Sequence, residues 1–241
     1  MQATPAITRR RRERWFYVCM SAAVVITVFA GFAPTYYLRP RFTTAPLMPL
    51  LHLHGLVFTS WVVLFVTQTT LVAAHRTDIH RRLGIVGGVI AVLMILIGFT
   101  TAVIRAQQGA TPVPDVSPLS FLVVPLGDIS VFAVLIGAGF YYRLRPDVHK
   151  RLMLLATISI LTAAIARLPF AIMKAGPPVF FGLTDLFILA CVLYDLITLK
   201  RIHRTTALAG FFIVASQPLR LLLGGTHAWL AFAAWLTHWV S

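Results

Sequence analysis

Seven apolar runs, each about as long as a helix that crosses hydrocarbon, recur along this 241-residue chain. They cover 15–37, 50–74, 83–104, 119–142, 152–173, 179–199 and 206–224. Hydrophobic residues make up 59% and charged residues 12%, about half the charged share usual in a soluble domain. That balance excludes disordered, collagen-like and disulfide-rich secreted chains. The reading is an all-α, polytopic transmembrane helical bundle with seven spans. Breakers stand where connections should be: Pro40, Pro46 and Pro49, then Pro112, Pro114 and Pro118, then Gly176-Pro177-Pro178. A last apolar piece, 226–240, is shorter and carries Trp229, Trp235, Trp239, His227 and His238. It suits a short C-terminal interfacial helix or an incomplete eighth span. The chain thus divides into a basic tail (1–14), the bundle (15–224) and this Trp-rich segment (225–241).

The formal charge is +14, from 21 Lys and Arg against 7 Asp and Glu. Nearly all the basic residues fall between apolar runs, which points to anionic lipid headgroups rather than nucleic acid. Arg9–Arg12, Arg14, Arg76, Arg81, Arg82, Arg143, Arg145, Lys150, Arg151, Lys200, Arg201 and Arg204 share one side. Only Arg39, Arg41, Arg105 and Lys174 fall on the other. The positive-inside rule then expects a cytoplasmic N-terminus and an outer C-terminus, in a bacterial inner membrane. The first run is longer than a signal core, and Pro34 follows Gly31 and Ala33, so it reads as an anchor. Cys19 and Cys191 stand alone in apolar runs, without metal spacing.

One connection is repeated. Arg76-Thr77-Asp78-Ile79-His80-Arg81-Arg82-Leu83 matches Arg145-Pro146-Asp147-Val148-His149-Lys150-Arg151-Leu152, and Lys200-Arg201-Ile202-His203-Arg204 is a reduced form. Asp78 and Asp147 are placed to cap the helices that follow. His80, His149 and His203 form a second-rank candidate site on the cytoplasmic face. Their bland reading, favoured here, is a set of capped turns meeting lipid phosphates.

Charges inside spans are costly and are functional candidates by default. Asp128, Arg167, Asp185 and Arg220 each lie 14 or 15 residues from the cytoplasmic end of their run. At 1.5 Å per residue that is a depth of about 21 Å in a core about 30 Å thick. Two acids and two guanidiniums at one depth suggest a neutral layer that binds a ligand, or a set of buried pairs that fix the register. Arg167-Leu168-Pro169 and Gln217-Pro218-Leu219-Arg220 put proline beside a charge, as broken backbone lining a cavity would. His54, Trp61, Gln68 and His75 recur every seven residues and form a stripe on the second helix. His52 with His54 is a metal pair only if that turn is not helical. Asp195 and Tyr194 are expected to serve Lys200 or Arg201 locally.

Phosphate loops and the HExxH signature are missing. Gln68, His80-Arg81-Arg82-Leu83-Gly84 and Ser216-Gln217-Pro218-Leu219-Arg220 carry a resemblance to an uncharacterised class of bacterial seven-helix integral membrane proteins. That resemblance implies the architecture and no activity. Histidines near both ends of helices also resemble the haem-binding b561 type, although helices three to seven have none within the core. Three functions compete. The first is binding or transport of a small polar or amphipathic ligand by Asp128, Arg167, Asp185, Arg220, His54, Trp61, Gln68 and Gln217. The second is a metal- or haem-dependent membrane enzyme using His52, His54, Asp128 and Asp185. The third is a non-catalytic subunit or assembly factor of a membrane complex.

Overall fold

The computed structural model describes residues 5–239, with side chains from residue 11 onward. The first residues of the basic tail, 1–4, and the last two of the Trp-rich segment lie outside that range, as do the side chains of Arg9 and Arg10. Eight long helices follow in order: α1 (Pro5–Phe32), α2 (Pro49–Ala73), α3 (Thr77–Gln107), α4 (Pro118–Tyr141), α5 (Pro146–Ile165), α6 (Pro177–Leu199), α7 (Arg204–Gly224) and α8 (His227–His238). The first seven are long and apolar enough to cross a membrane. The protein is a multi-pass, all-α bundle. Helix α8, at 12 residues, extends about 18 Å and is too short to span.

Proline starts the helices that the breakers delimit. Pro49, Pro118, Pro146 and Pro177 occupy the first turns of α2, α4, α5 and α6, where a missing N–H removes no intrahelical bond. Much of the basic tail is already helical, because α1 begins at Pro5. Asp78 and Asp147 sit in the first turns of α3 and α5 but do not cap them; residues Arg76 and Arg145 hold the cap positions, with no side-chain capping bond among the described residues. The acids instead complement the positive helix end. Side-chain caps appear at α7 and α8, where His203 Nδ1 and Thr226 Oγ1 accept from the Thr205 and Trp229 amides.

Helix α5 is the axis of the bundle. In its most apolar stretch 67% of residues are buried, against 22% in α1 and α3. It packs on α4, α7, α1 and α6. Its regular bonding breaks at Ile160 and Leu161 and resumes at Thr162, next to hydroxyls that bond their own helix: Thr157 to Met153 O at 2.9 Å and Ser159 to Ala156 O at 2.8 Å. The helix ends at Ile165, short of the span expected to reach residue 173. Pro169 has no N–H for the next turn, and tight turns follow, Arg167 N bonding Ala164 O at 3.1 Å and Leu168 N bonding Ile165 O at 3.0 Å.

Gly31 brings α1 against this axis. A Cβ there would lie 2.1 Å from Ala164 O, a backbone atom that cannot step aside. Gly31→Val is expected to lose about 1–3 kcal/mol or fail to assemble. Gly84→Ala, where a Cβ meets nothing within 4 Å, should leave the melting temperature in detergent within a degree or two of the parent.

Candidate functional site: polar groups inside the bundle

The four charges placed at one depth separate into three arrangements. Asp128 on α4 and Arg220 on α7 form a closed pair, 7% and 6% exposed. Arg220 Nη1 donates to Asp128 Oδ1, Nε donates to Ser216 O at 3.2 Å, and Nη2 donates to Ser216 Oγ at 2.6 Å. The guanidinium also lies over the Phe181 ring, 5.3 Å from its centroid. Its rigid fork suits this many directed bonds. Gly127 makes the approach possible, because a Cβ there would stand 2.2 Å from Arg220 Cδ.

Asp185 on α6 is different. Its Oδ1 accepts from Gln217 Nε2 at 2.7 Å, and among the described residues no cation pairs with it. Gln217 is buried; Asp185 is half-buried, between the exposed Leu186 and the buried Thr184, whose hydroxyl lies 3.3 Å from that of Thr162.

Arg167 does not join the layer. It lies beyond the end of α5, exposed, with Nη1 donating to Ala163 O at 2.6 Å and its guanidinium 5.0 Å from the Phe32 ring centroid. The expected four-member layer is therefore, among the described residues, one pair, one acid without a cation, and one arginine beyond the end of its helix. Helix α5 stops at Ile165, before reaching Arg167.

The other acid of α6 departs from the local pairing expected for it. Asp195 is 1% exposed and meets neither Lys200 nor Arg201. Its Oδ1 accepts from Arg151 Nη2 on α5 at 2.6 Å, and its Oδ2 accepts from Thr206 Oγ1 at 2.5 Å and from the His203 amide at 3.2 Å. Arg151 also donates to Asp147 O at 2.9 Å. Helical spacing carries the signal: Thr184, Ile188, Cys191 and Asp195 follow steps of four, three and four along one buried stripe of α6. Lys150 ties in α1, contacting Glu13 at 2.6 Å and Asp147 at 2.7 Å.

The seven-residue stripe of α2 divides as well. Trp61 is core, with Nε1 donating to Thr157 Oγ1 at 3.3 Å and its ring edge-on to Phe132. Gln68 Nε2 donates to His80 O at 3.2 Å. His75 lies past the helix with φ 62°. His52 and His54 are in the first turns of continuous helix, where residues two apart diverge. His52 faces Tyr36, while His54 stacks on Phe58 with centroids 4.1 Å apart. The proposed metal set of His52, His54, Asp128 and Asp185 is not assembled: Asp128 is held by Arg220, Asp185 by Gln217. Among the described residues no three His, Cys, Asp or Glu side chains converge as a metal cluster.

At the basic end, the repeated connection brings its two histidines together. The His80 and His149 rings lie 6.2 Å apart, nearly perpendicular. His203 stands apart from them as the cap of α7, its Nδ1 accepting from Thr205 N at 3.1 Å.

Two outcomes follow. Asp195→Ala or Arg151→Ala, each stranding a buried charge, should cost about 3–5 kcal/mol in equilibrium unfolding. Desolvation, then the Arg151 charge, lowers the His203 pKa from its usual 6.5. The unfolded chain takes up this proton first, so the stabilisation is full above about pH 6.5 and falls as pH drops below that. Protonation also ends the cap, worth about 0.5–2 kcal/mol. The melting temperature should fall from pH 7.5 to 5.5, and His203→Asn, a cap that does not titrate there, should flatten that fall.

Compared with protein-family models, with curated proteins and with solved structures, the chain matches none. The molecule itself establishes a multi-pass membrane protein whose spans are joined by buried salt bridges.

Proposed function

We infer that this protein binds, or carries across the membrane, a small amphipathic ligand at Asp185 and Gln217. The observation that carries the reading is a carboxylate inside a membrane span whose described partner is an amide and not a cation. A charge at that depth calls for compensation. The neighbouring guanidinium cannot supply it, because Arg220 is committed to Asp128 and Ser216. A ligand with a cationic or hydrogen-bond-donating head supplies it. Leu186 and Leu189, 56% and 49% exposed on the same helix, offer an apolar track for a tail. In this reading Asp128, Arg220 and Trp61 hold the frame, and Asp185 and Gln217 make the contact. The basic loops lie in the cytoplasm against anionic headgroups, in a bacterial inner membrane.

A second reading has one observation in its favour: Asp185 is only half-buried. A partner's transmembrane helix bearing a lysine or arginine would satisfy it equally, making the protein a subunit of a larger complex. Gentle extraction separates the two, since a stable co-purifying membrane partner lost in Asp185→Asn belongs to the second.

For the ligand reading, purified protein is screened by thermal shift against lipophilic amines and amphipathic alcohols. Asp185→Asn is expected to melt within about 1 kcal/mol of the parent and to lose the ligand-dependent rise. A rise that survives the substitution would contradict the assignment.

A further inference from the structure

The first two of the repeated loops converge on one place. His80, in the first turns of α3, and His149, in the first turns of α5, hold equivalent positions in the repeat, and their ring centroids are 6.2 Å apart. Three details go beyond packing. His149 Nδ1 is 2.8 Å from Gly139 O, and a carbonyl only accepts, so this nitrogen carries the proton. In the neutral ring that leaves the Nε2 lone pair free, the arrangement that fixes metal-binding imidazoles. His80 Nδ1 is buried with no hydrogen-bond partner among the described residues. Gln68, whose Nε2 is anchored on His80 O, also has a buried Oε1 with no partner among the described residues. Buried polar atoms are ordinarily satisfied, and here two orphans belong to neighbouring side chains.

We propose that His80 and His149 bind one copper ion between them, with Gln68 Oε1 as a weaker third ligand. A metal held about 2.0 Å from an imidazole nitrogen stands about 3.2 Å from the ring centroid. Two rings sharing one ion therefore have centroids no more than about 6.4 Å apart; the observed separation lies just inside that limit, so a shared ion would be held near a straight nitrogen–metal–nitrogen arrangement. The ligand set is neutral, and the Arg81 charge acts on His80. Calcium and magnesium, which rely on anionic oxygen ligands, are disfavoured there. Copper is favoured by imidazole nitrogen, and its cuprous form carries only one charge into this basic surrounding. Lys150 adds little repulsion, since Glu13 and Asp147 neutralise it. This site lies at the opposite end of the spans from the Asp185–Gln217 pair and stands or falls independently of it.

The test is Cu(I) binding to the purified full chain under reducing conditions, in competition with a chromophoric chelator, paired with X-ray absorption of the loaded protein. One copper per chain with two imidazole nitrogens is expected. His80→Asn and His149→Asn, the second keeping a donor for Gly139 O, should each weaken binding at least about a hundredfold, and Gln68→Leu about tenfold. His203→Asn and Asp185→Asn should bind as the parent does. Stoichiometry unchanged in the His80→Asn, His149→Asn double variant would overturn the site. So would absorption spectra of the parent protein showing sulfur ligands or a single imidazole, a result that needs no variant to fold.

Discussion

An ionised side chain inside hydrocarbon needs compensation, and among the described residues two ion pairs at two heights supply it within the bundle. Arg151 and Asp195 join α5 to α6 near the basic end, with Thr206 and the His203 amide bringing in the start of α7. Asp128 and Arg220 join α4 to α7 further along. Four helices are thereby fixed in register by bonds that admit no one-residue slip. Removing both members of such a pair for a well-packed apolar pair can be neutral, whereas removing one strands a charge. The pairs thus act more through specificity than through net stability.

Small residues let these pairs close. Gly127 leaves room for the Arg220 side chain to lie along α4, and Gly31 lets α1 reach the backbone of α5. The same close packing leaves Asp185 conspicuous. It neighbours the buried Thr184 on α6 but is rotated about 100° from it, off the stripe that carries Asp195 to the interior. That rotation is why one acid of α6 is sealed in an ion pair and the other keeps an oxygen available.

Element number, type and order were legible because apolar length and proline punctuation are one-dimensional signals. Depth was legible for Asp128 and Arg220, whose helices are regular. For Arg167 the count does not apply, because counting residues assumes a helix, and α5 yields to Pro169 before reaching it. Partner choice was less legible. Asp195 looked local because sequence distance to Lys200 is short, while the bond it makes spans 44 residues to Arg151. The repeat was visible as a pattern, but that it brings His80 against His149 depends on how α3 and α5 flank α4, which no single loop encodes.

Among the described residues, the charges deep in the bundle comprise one closed pair and one acid that answers to no arginine. Double-mutant cycles in lipid address it directly, with unfolding free energies for Asp128→Asn and Arg220→Gln, singly and together, set beside the Asp185→Asn and Arg220→Gln cycle. A coupling of about 1–3 kcal/mol is predicted for Asp128 with Arg220 and none beyond error for Asp185 with Arg220. Equal coupling in the two cycles would mean that Asp185 shares the guanidinium, and the account would be wrong.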